Sequence, residues 1–306
     1  MMVSTMSIFF SLLFSLLVPI IGAHTTIKTV QNLRPVIQGR IYRCATLDNL
    51  STSDAGDLLN GAALGSSKPL AAVIDLRNSD EITKGMKERS VGANQFYSSS
   101  TECKYLHIPF LQDVDAFWEE AICRMDTKDR IKATMETIFK AGVLDRSAAR
   151  NLEKGGHAML NTIIMTSGRQ QISKALEACL EESKRGPVIF HCQKGKDRTG
   201  VLGMLIQSIM DSSLENDAEI VHAYALSGSQ LGEGEGYYTA KDKINDGRGG
   251  LIDWSYFRGS PAKGMEETLA WTRKTYGSVE AYLDAASFGS SKRNSFREQL
   301  REKELA

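Results

Sequence analysis

The chain has 306 residues, 42% hydrophobic and 24% charged, which is enough to bury one sizeable core. Lysine plus arginine number 37, as do aspartate plus glutamate, so no global basic field draws the chain onto nucleic acid, and any anion affinity must be local. Five scattered cysteines (Cys44, Cys103, Cys123, Cys179, Cys192) contain no C-x-x-C pair and no zinc-like spacing, which argues against a disulfide framework or a metal site and leaves at least one thiol free.

In chain order, Ile8 to Ile21 is apolar apart from Ser11, Ser15 and Pro19, and Gly22-Ala23 precedes His24. Residues 1–23 read as a secretory signal peptide, although the first positive side chain is Lys28. The run is short for a membrane span; an uncleaved anchor and a cytoplasmic chain are the alternatives. Asn49-Leu50-Ser51 is a glycosylation sequon, usable only in the secretory pathway. Residues 24–306 read as a single domain. Ala71 to Leu76 and Pro187 to His191 are short apolar runs of the kind buried on both faces of a parallel sheet, and Tyr105 to Pro109 is a weaker third strand.

The stretches AFWEEAICRM and RIKATMETIFKAGVL carry helical apolar spacing, and Glu153 to Gly156 breaks them from a further helical stretch through MLNTIIM and ISKALEACLEE. That exceeds one crossover, so residues 113–170 read as a helical insertion, either a lid or extra packing. After PVIFH, Val201, Leu202, Met204, Leu205, Ile206, Ile209 and Met210 make a helix apolar on nearly all sides. Residues 228–259 form a glycine-rich loop; its GEGEG is acidic and lacks the strand and helix that flank a phosphate loop. Ser260-Pro261 and Ser278 open C-terminal helices. The fold class is α/β, a central, mostly parallel sheet flanked by helices.

Residues 191–200 read HCQKGKDRTG. A thiolate attacking phosphorus needs to be ionised near neutral pH, a cradle of N–H groups for three oxygens, and a fixed fork to hold them. Cys192, at a strand end leading into a helix N-terminus, meets the first two needs. Arg198 supplies the fork, because guanidinium binds two oxygens at once and ammonium does not. Gln193, Lys194, Gly195, Lys196 and Asp197 complete a phosphate-binding loop. Lys196 is expected in the bowl, suiting polyanionic head groups, whereas Lys194 reads equally as solvent-facing. Gly195 allows close backbone approach and Gly200 tight packing of helix on strand. Thr199 could donate to the sulfur, and His191 reads as a supporting residue or a core histidine.

This decapeptide resembles the C-x5-R-[ST]-G signature of the protein tyrosine phosphatase superfamily, and GKDRTG resembles its atypical, dual-specificity-like branch, which includes secreted bacterial tyrosine and phosphoinositide phosphatases. RIYRCATLDNLS at 40–51, AAVIDLRNSDEI at 71–82 and YGSVEAYL at 276–283 are similar to further elements of that family. The resemblance implies a cysteine-phosphatase fold, phosphate-monoester hydrolysis through a phosphocysteine, no cofactor, and phosphoproteins or phosphoinositides as substrates, with membrane contact only through substrate or an uncleaved leader. It points to Asp197 as general acid; Asp113 and Asp115 occupy the place of a mobile acid in other cysteine phosphatases, and Asp75 reads as a structural partner of Arg77. Cys44 and Ala45 stand where the family usually has Ser-Gly, which suggests a protective Cys44–Cys192 disulfide under oxidation. A catalytically silent phosphate-binding module and a rhodanese-type sulfurtransferase are the competing readings.

Overall fold

A computed structural model describes residues 27–99, 102–232 and 247–301. The leader and all of GEGEG but Gly232 lie outside these. In chain order the elements are β1 (Arg34–Ile37), β2 (Ile41–Cys44), α1 (Thr52–Leu59), β3 (Ala72–Asp75), α2 (Ser79–Glu88), α3 (Val91–Ser99), β4 (Lys104–His107), α4 (Val114–Cys123), α5 (Thr127–Thr137), α6 (Val143–Ser167), α7 (Arg169–Glu182), β5 (Val188–His191), α8 (Asp197–Met210), α9 (Asp217–Gln230), α10 (Ala262–Tyr276), α11 (Val279–Ala285) and α12 (Ser290–Arg301). Among the described residues no helix is long and apolar enough to cross a membrane.

The five strands run in the order β1-β2-β5-β3-β4, all parallel except the antiparallel β1 edge. Strands β2, β3 and β5 are buried along their whole length, and their side chains alternate between two cores as the pleat dictates. Ile41, Ala72, Ile74, Val188 and Phe190 enter the larger core, shared with α6 and α8. Tyr42, Cys44, Val73 and Ile189 enter a smaller one with Leu58 and Phe96.

The three expected strands are present, whereas β1 and β2 escape a reading by apolar runs. β1 contains Pro35, tolerable only at an edge, and β2 carries Arg43 in its centre. The break expected at 153–156 is a kink inside α6, where Gly156 has φ 56° and ψ −151°. On the insertion, α4 and α5 pack on α6, and Phe117, Trp118, Ala121 and Ala133 join the larger core, as extra packing would. The outer face of α5 and the turn beyond it leave Ile131, Met135, Ile138 and Phe139 exposed. The glycine-rich loop starts later than 228, since α9 reaches Gln230, and Trp254–Phe257 forms a short 3-10 turn. Pro261 is the N-cap of α10 rather than its first helical residue; Ser278 caps α11 by accepting from Ala281 N at 3.0 Å.

Candidate active site

The registers Cys44↔His191 and Asp75↔His191 bring the carboxyl ends of β2, β5 and β3 side by side, so the segments leaving them share one end of the sheet. Ligand sites of open α/β sheets form at such ends. The segment after β5 is Cys192–Lys196, and α8 begins at Asp197 with Gly200 N donating to Lys196 O at 2.6 Å. No side chain caps the helix, leaving its first N–H groups for an anion.

The loop's shape is held from outside. Gly195 has φ +66°, and a Cβ there would lie 2.3 Å from the Cys44 carbonyl oxygen, so glycine is required on both counts. Its own carbonyl accepts from Asn32 Nδ2 and Arg43 Nη2, each at 2.8 Å. Asn32 Nδ2 also donates to Lys194 O at 3.2 Å, and Thr46 N to Gln193 O at 3.1 Å. Gly200 packs most closely against the Tyr224 ring, 2.8 Å from where a Cβ would lie, and next against the Arg43 side chain of β2 at 3.8 Å.

Arg198 is fixed by Glu81. Nη1 lies 2.5 Å from Oε2 and Nη2 2.7 Å from Oε1, a fork-on-carboxylate pair, and Nη1 reaches Leu76 O at 3.4 Å. Glu81 also accepts from Asn78 N at 2.9 Å, the carboxylate half of a capping box on α2. Burial works against both charges, yet each holds the other ionised: the Glu81 carboxyl is pushed down and Arg198 up. Sequence reasoning gave Glu81 no role, although an acid three residues after Asn78 is a capping signal.

Beneath the loop, His191 is fully buried, with Nδ1 3.3 Å from Cys192 O and Nε2 3.6 Å from Asp75 Oδ2; burial above all keeps it neutral. Asp75 holds Arg77, as expected, through Nε to Oδ1 at 3.0 Å and Nη2 to Oδ2 at 2.7 Å, and accepts from Tyr105 OH at 2.8 Å. Burial would raise Asp75, but the charge and hydrogen bonds of Arg77 hold its carboxyl below the usual range. Arg77 extends to Asp48 and, at 3.5 Å, to Gln193 Oε1, tying the loop to β3.

One expectation needs correction. Lys196 is fully buried, and its ammonium does not stand open to the bowl: it donates to Phe257 O and to Gly259 O at 2.8 Å and lies 3.2 Å from His157 Nε2. The spacing places the residue in the loop, but two carbonyls before α10 determine where the side chain goes. Cys44 and Cys192 are both free thiols, the first in the smaller core and the second in the larger. Burial pushes the Cys44 thiol well above its ordinary value.

Cys192 itself is 3% exposed at the head of the loop. Thr199 Oγ1 is buried and makes no hydrogen bond, to the sulfur or to anything else described. Asp197, partly exposed, has Oδ1 3.6 Å from Lys196 Nζ. The alternative acids are committed elsewhere: Asp113 caps α4, accepting from Ala116 N at 2.9 Å, and exposed Asp115 pairs with Arg248 at 2.8 Å. Among the described residues no group of three or more His, Cys, Asp or Glu could hold a metal ion.

Together these features define an α/β protein whose sheet end gathers a buried thiol, a glycine-shaped loop, an uncapped helix N-terminus and a fixed arginine fork. The profile of the tyrosine phosphatase family matches residues 23–302, and the chain belongs to that family. It is 34% identical over 109 residues to a tyrosine-protein phosphatase of Nostoc commune, an alignment covering 32% of this chain and 33% of that relative. The chain thus matches about a third of the relative's length.

Proposed function

We propose that the chain hydrolyses phosphate monoesters through a phosphocysteine on Cys192. The bidentate Glu81–Arg198 pair carries this reading, because it fixes a guanidinium fork beside the loop that Cys192 heads. The sulfur attacks phosphorus while Arg198 and the loop N–H groups take the charge building on the equatorial oxygens. Asp197 protonates the leaving oxygen, and the same carboxylate then activates the water that cleaves the S–P bond. No metal or organic cofactor takes part. The substrates are phosphotyrosine proteins, with phosphoserine and phosphothreonine as lesser ones, or phosphoinositides. Residues 1–23 are a cleaved secretory leader; mass spectrometry of protein from a secretory host gives a start near His24, and retention of Met1 or Met2 would oppose this.

Phosphoinositides are the second reading, favoured by the row Ile131, Met135, Ile138 and Phe139, flanked on α5 by exposed Lys128 and Lys132. That pattern suits a helix lying on an anionic bilayer. A panel of phosphopeptides, soluble inositol phosphates and phosphoinositide vesicles decides. Vesicle hydrolysis lost in Ile138→Asp/Phe139→Asp, with soluble substrates still turned over, supports the lipid; turnover confined to phosphopeptides supports the protein. Phosphate binding without turnover leaves the silent module, and sulfur transfer the rhodanese reading.

A further inference from the structure

Among the described residues, Arg43, Lys196 and Arg198 interact electrostatically with Cys192. Lys196 has its charge answered by Asp197 at 3.6 Å and Arg198 by Glu81 at 2.5 Å. Arg43 has no carboxylate within ion-pair distance among the described residues, although it is only 2% exposed. Its partners are neutral: Gly195 O at 2.8 Å, with Lys196 O and Ser227 Oγ at 3.4 Å each, and its Nε has none.

An unanswered buried cation costs several kcal/mol, so a fold that keeps one needs a reason. Here the fold makes room for it. Arg43 lies on the β2 face that shares its core with Cys192, and runs into a slot under α8. A Cβ at Gly203 would come within 3.2 Å of Nη1, and one at Gly200 within 3.8 Å of Nη2. Arg34 stands close by, donating from Nη2 to Ser227 Oγ at 2.8 Å and to Ala223 O at 2.7 Å, and it too lacks a carboxylate among the described residues. Burial lowers Arg43 to about 10, which leaves it charged at neutral pH.

We propose that Arg43 is a positioning residue that supplies the counter-charge to the Cys192 thiolate from behind the loop and clamps the Gly195 and Lys196 carbonyls. Arg198 is thereby left to the phosphoryl oxygens. The other groups bearing on this field are Cys44 on β2, Lys196, Asp197 and Arg198 around the loop, and Tyr224 on α9. This rests on Cys192 being the nucleophile, and the test therefore reads the thiol apart from turnover.

Iodoacetamide alkylation of the Cys192 peptide is followed by mass spectrometry from about pH 5 to about pH 9, a range that spans ordinary thiol ionisation. In Arg43→Met the pH of half-maximal alkylation rises by about one unit, the shift expected when a close opposite charge is lost. Arg43→Lys, which keeps the charge, moves it by less than half as much. Because Arg43→Met removes packing as well, a second pair leaves the arginine in place: Ser227→Asp puts a carboxylate on its fork and raises the midpoint, whereas isosteric, neutral Ser227→Asn leaves it near wild type. Equal profiles for the two Ser227 variants, or a wild-type profile in folded Arg43→Met, would overturn the proposal. If the shifts appear in a chain that turns over no phosphate ester, the role of Arg43 stands and the phosphatase reading falls.

Discussion

Replacing Glu81 by Gln tests how far the arginine fork depends on its carboxylate. Glutamine keeps the capping bond to Asn78 N and one acceptor for Arg198, but removes the charge from a pair buried at 2.5 and 2.7 Å. Deleting one partner of a buried ion pair costs about 3–5 kcal/mol, and the bonds that glutamine keeps reduce this to about 2 kcal/mol. For a domain of this size that lowers Tm by about 5 °C. The fork is also released from its fixed orientation, and misplacement of a positioning group by about 1 Å costs about 10²-fold in rate, so kcat/KM falls by about that factor. Phosphate, a dianion binding the same fork, restores Tm more in Glu81→Gln than in wild type. Because the folded carboxyl titrates below its ordinary value of 4.5, the contribution is complete above that value and lost as pH falls through the lower, folded one. The Tm gap between the two proteins therefore closes under acid conditions. Scanning calorimetry with and without phosphate, beside steady-state kinetics, measures all of this; a variant with wild-type kcat/KM and the same Tm gap at every pH would refute the reasoning.

Asp197→Asn depresses kcat steeply for tyrosyl or alkyl phosphates and much less for p-nitrophenyl phosphate, by about 10²–10⁴ against a smaller factor, because a good leaving group departs without a proton. Asp113→Asn shows no such dependence on the leaving group; Asp113→Ala costs about 1 kcal/mol of stability through the lost α4 cap, read by urea denaturation. Gly195→Ala abolishes turnover, since the new methyl meets the Cys44 carbonyl at 2.3 Å, and a kcat within about tenfold of wild type would contradict the loop geometry. His157 and His191 are both held below their ordinary 6.5 by burial, so the unfolded chain takes up protons that the folded one refuses. Stability is therefore greatest above 6.5 and falls as pH drops through it, and His157→Gln flattens that fall in a Tm-against-pH series.

What could be read from the sequence follows from how each feature is encoded. The strands β3 and β5 are apolar runs, and the turn after β5 is marked by Gly195 and by the apolar helix that follows it, so both are legible. β2 is not, because Arg43 breaks the run and becomes intelligible only once Gly200 and Gly203 are seen to make its slot. The Glu81–Arg198 pair joins residues 117 apart, and no local pattern encodes it. Lys196 shows the same limit at close range: its place in the loop is a matter of spacing, but the direction of its side chain is set by carbonyls of Phe257 and Gly259, some sixty residues on. The kink in α6 was legible because two adjacent glycines interrupt an otherwise continuous helical spacing.

The central claim is covalent chemistry at Cys192, and rapid acid quench during turnover of a phosphotyrosine peptide, followed by peptide mass mapping, tests it most directly. A phosphoryl adduct on the Cys192 peptide, absent from Cys192→Ser, which still binds phosphate, is the predicted result. Turnover persisting in Cys192→Ser, or an adduct on any other residue, would contradict the account.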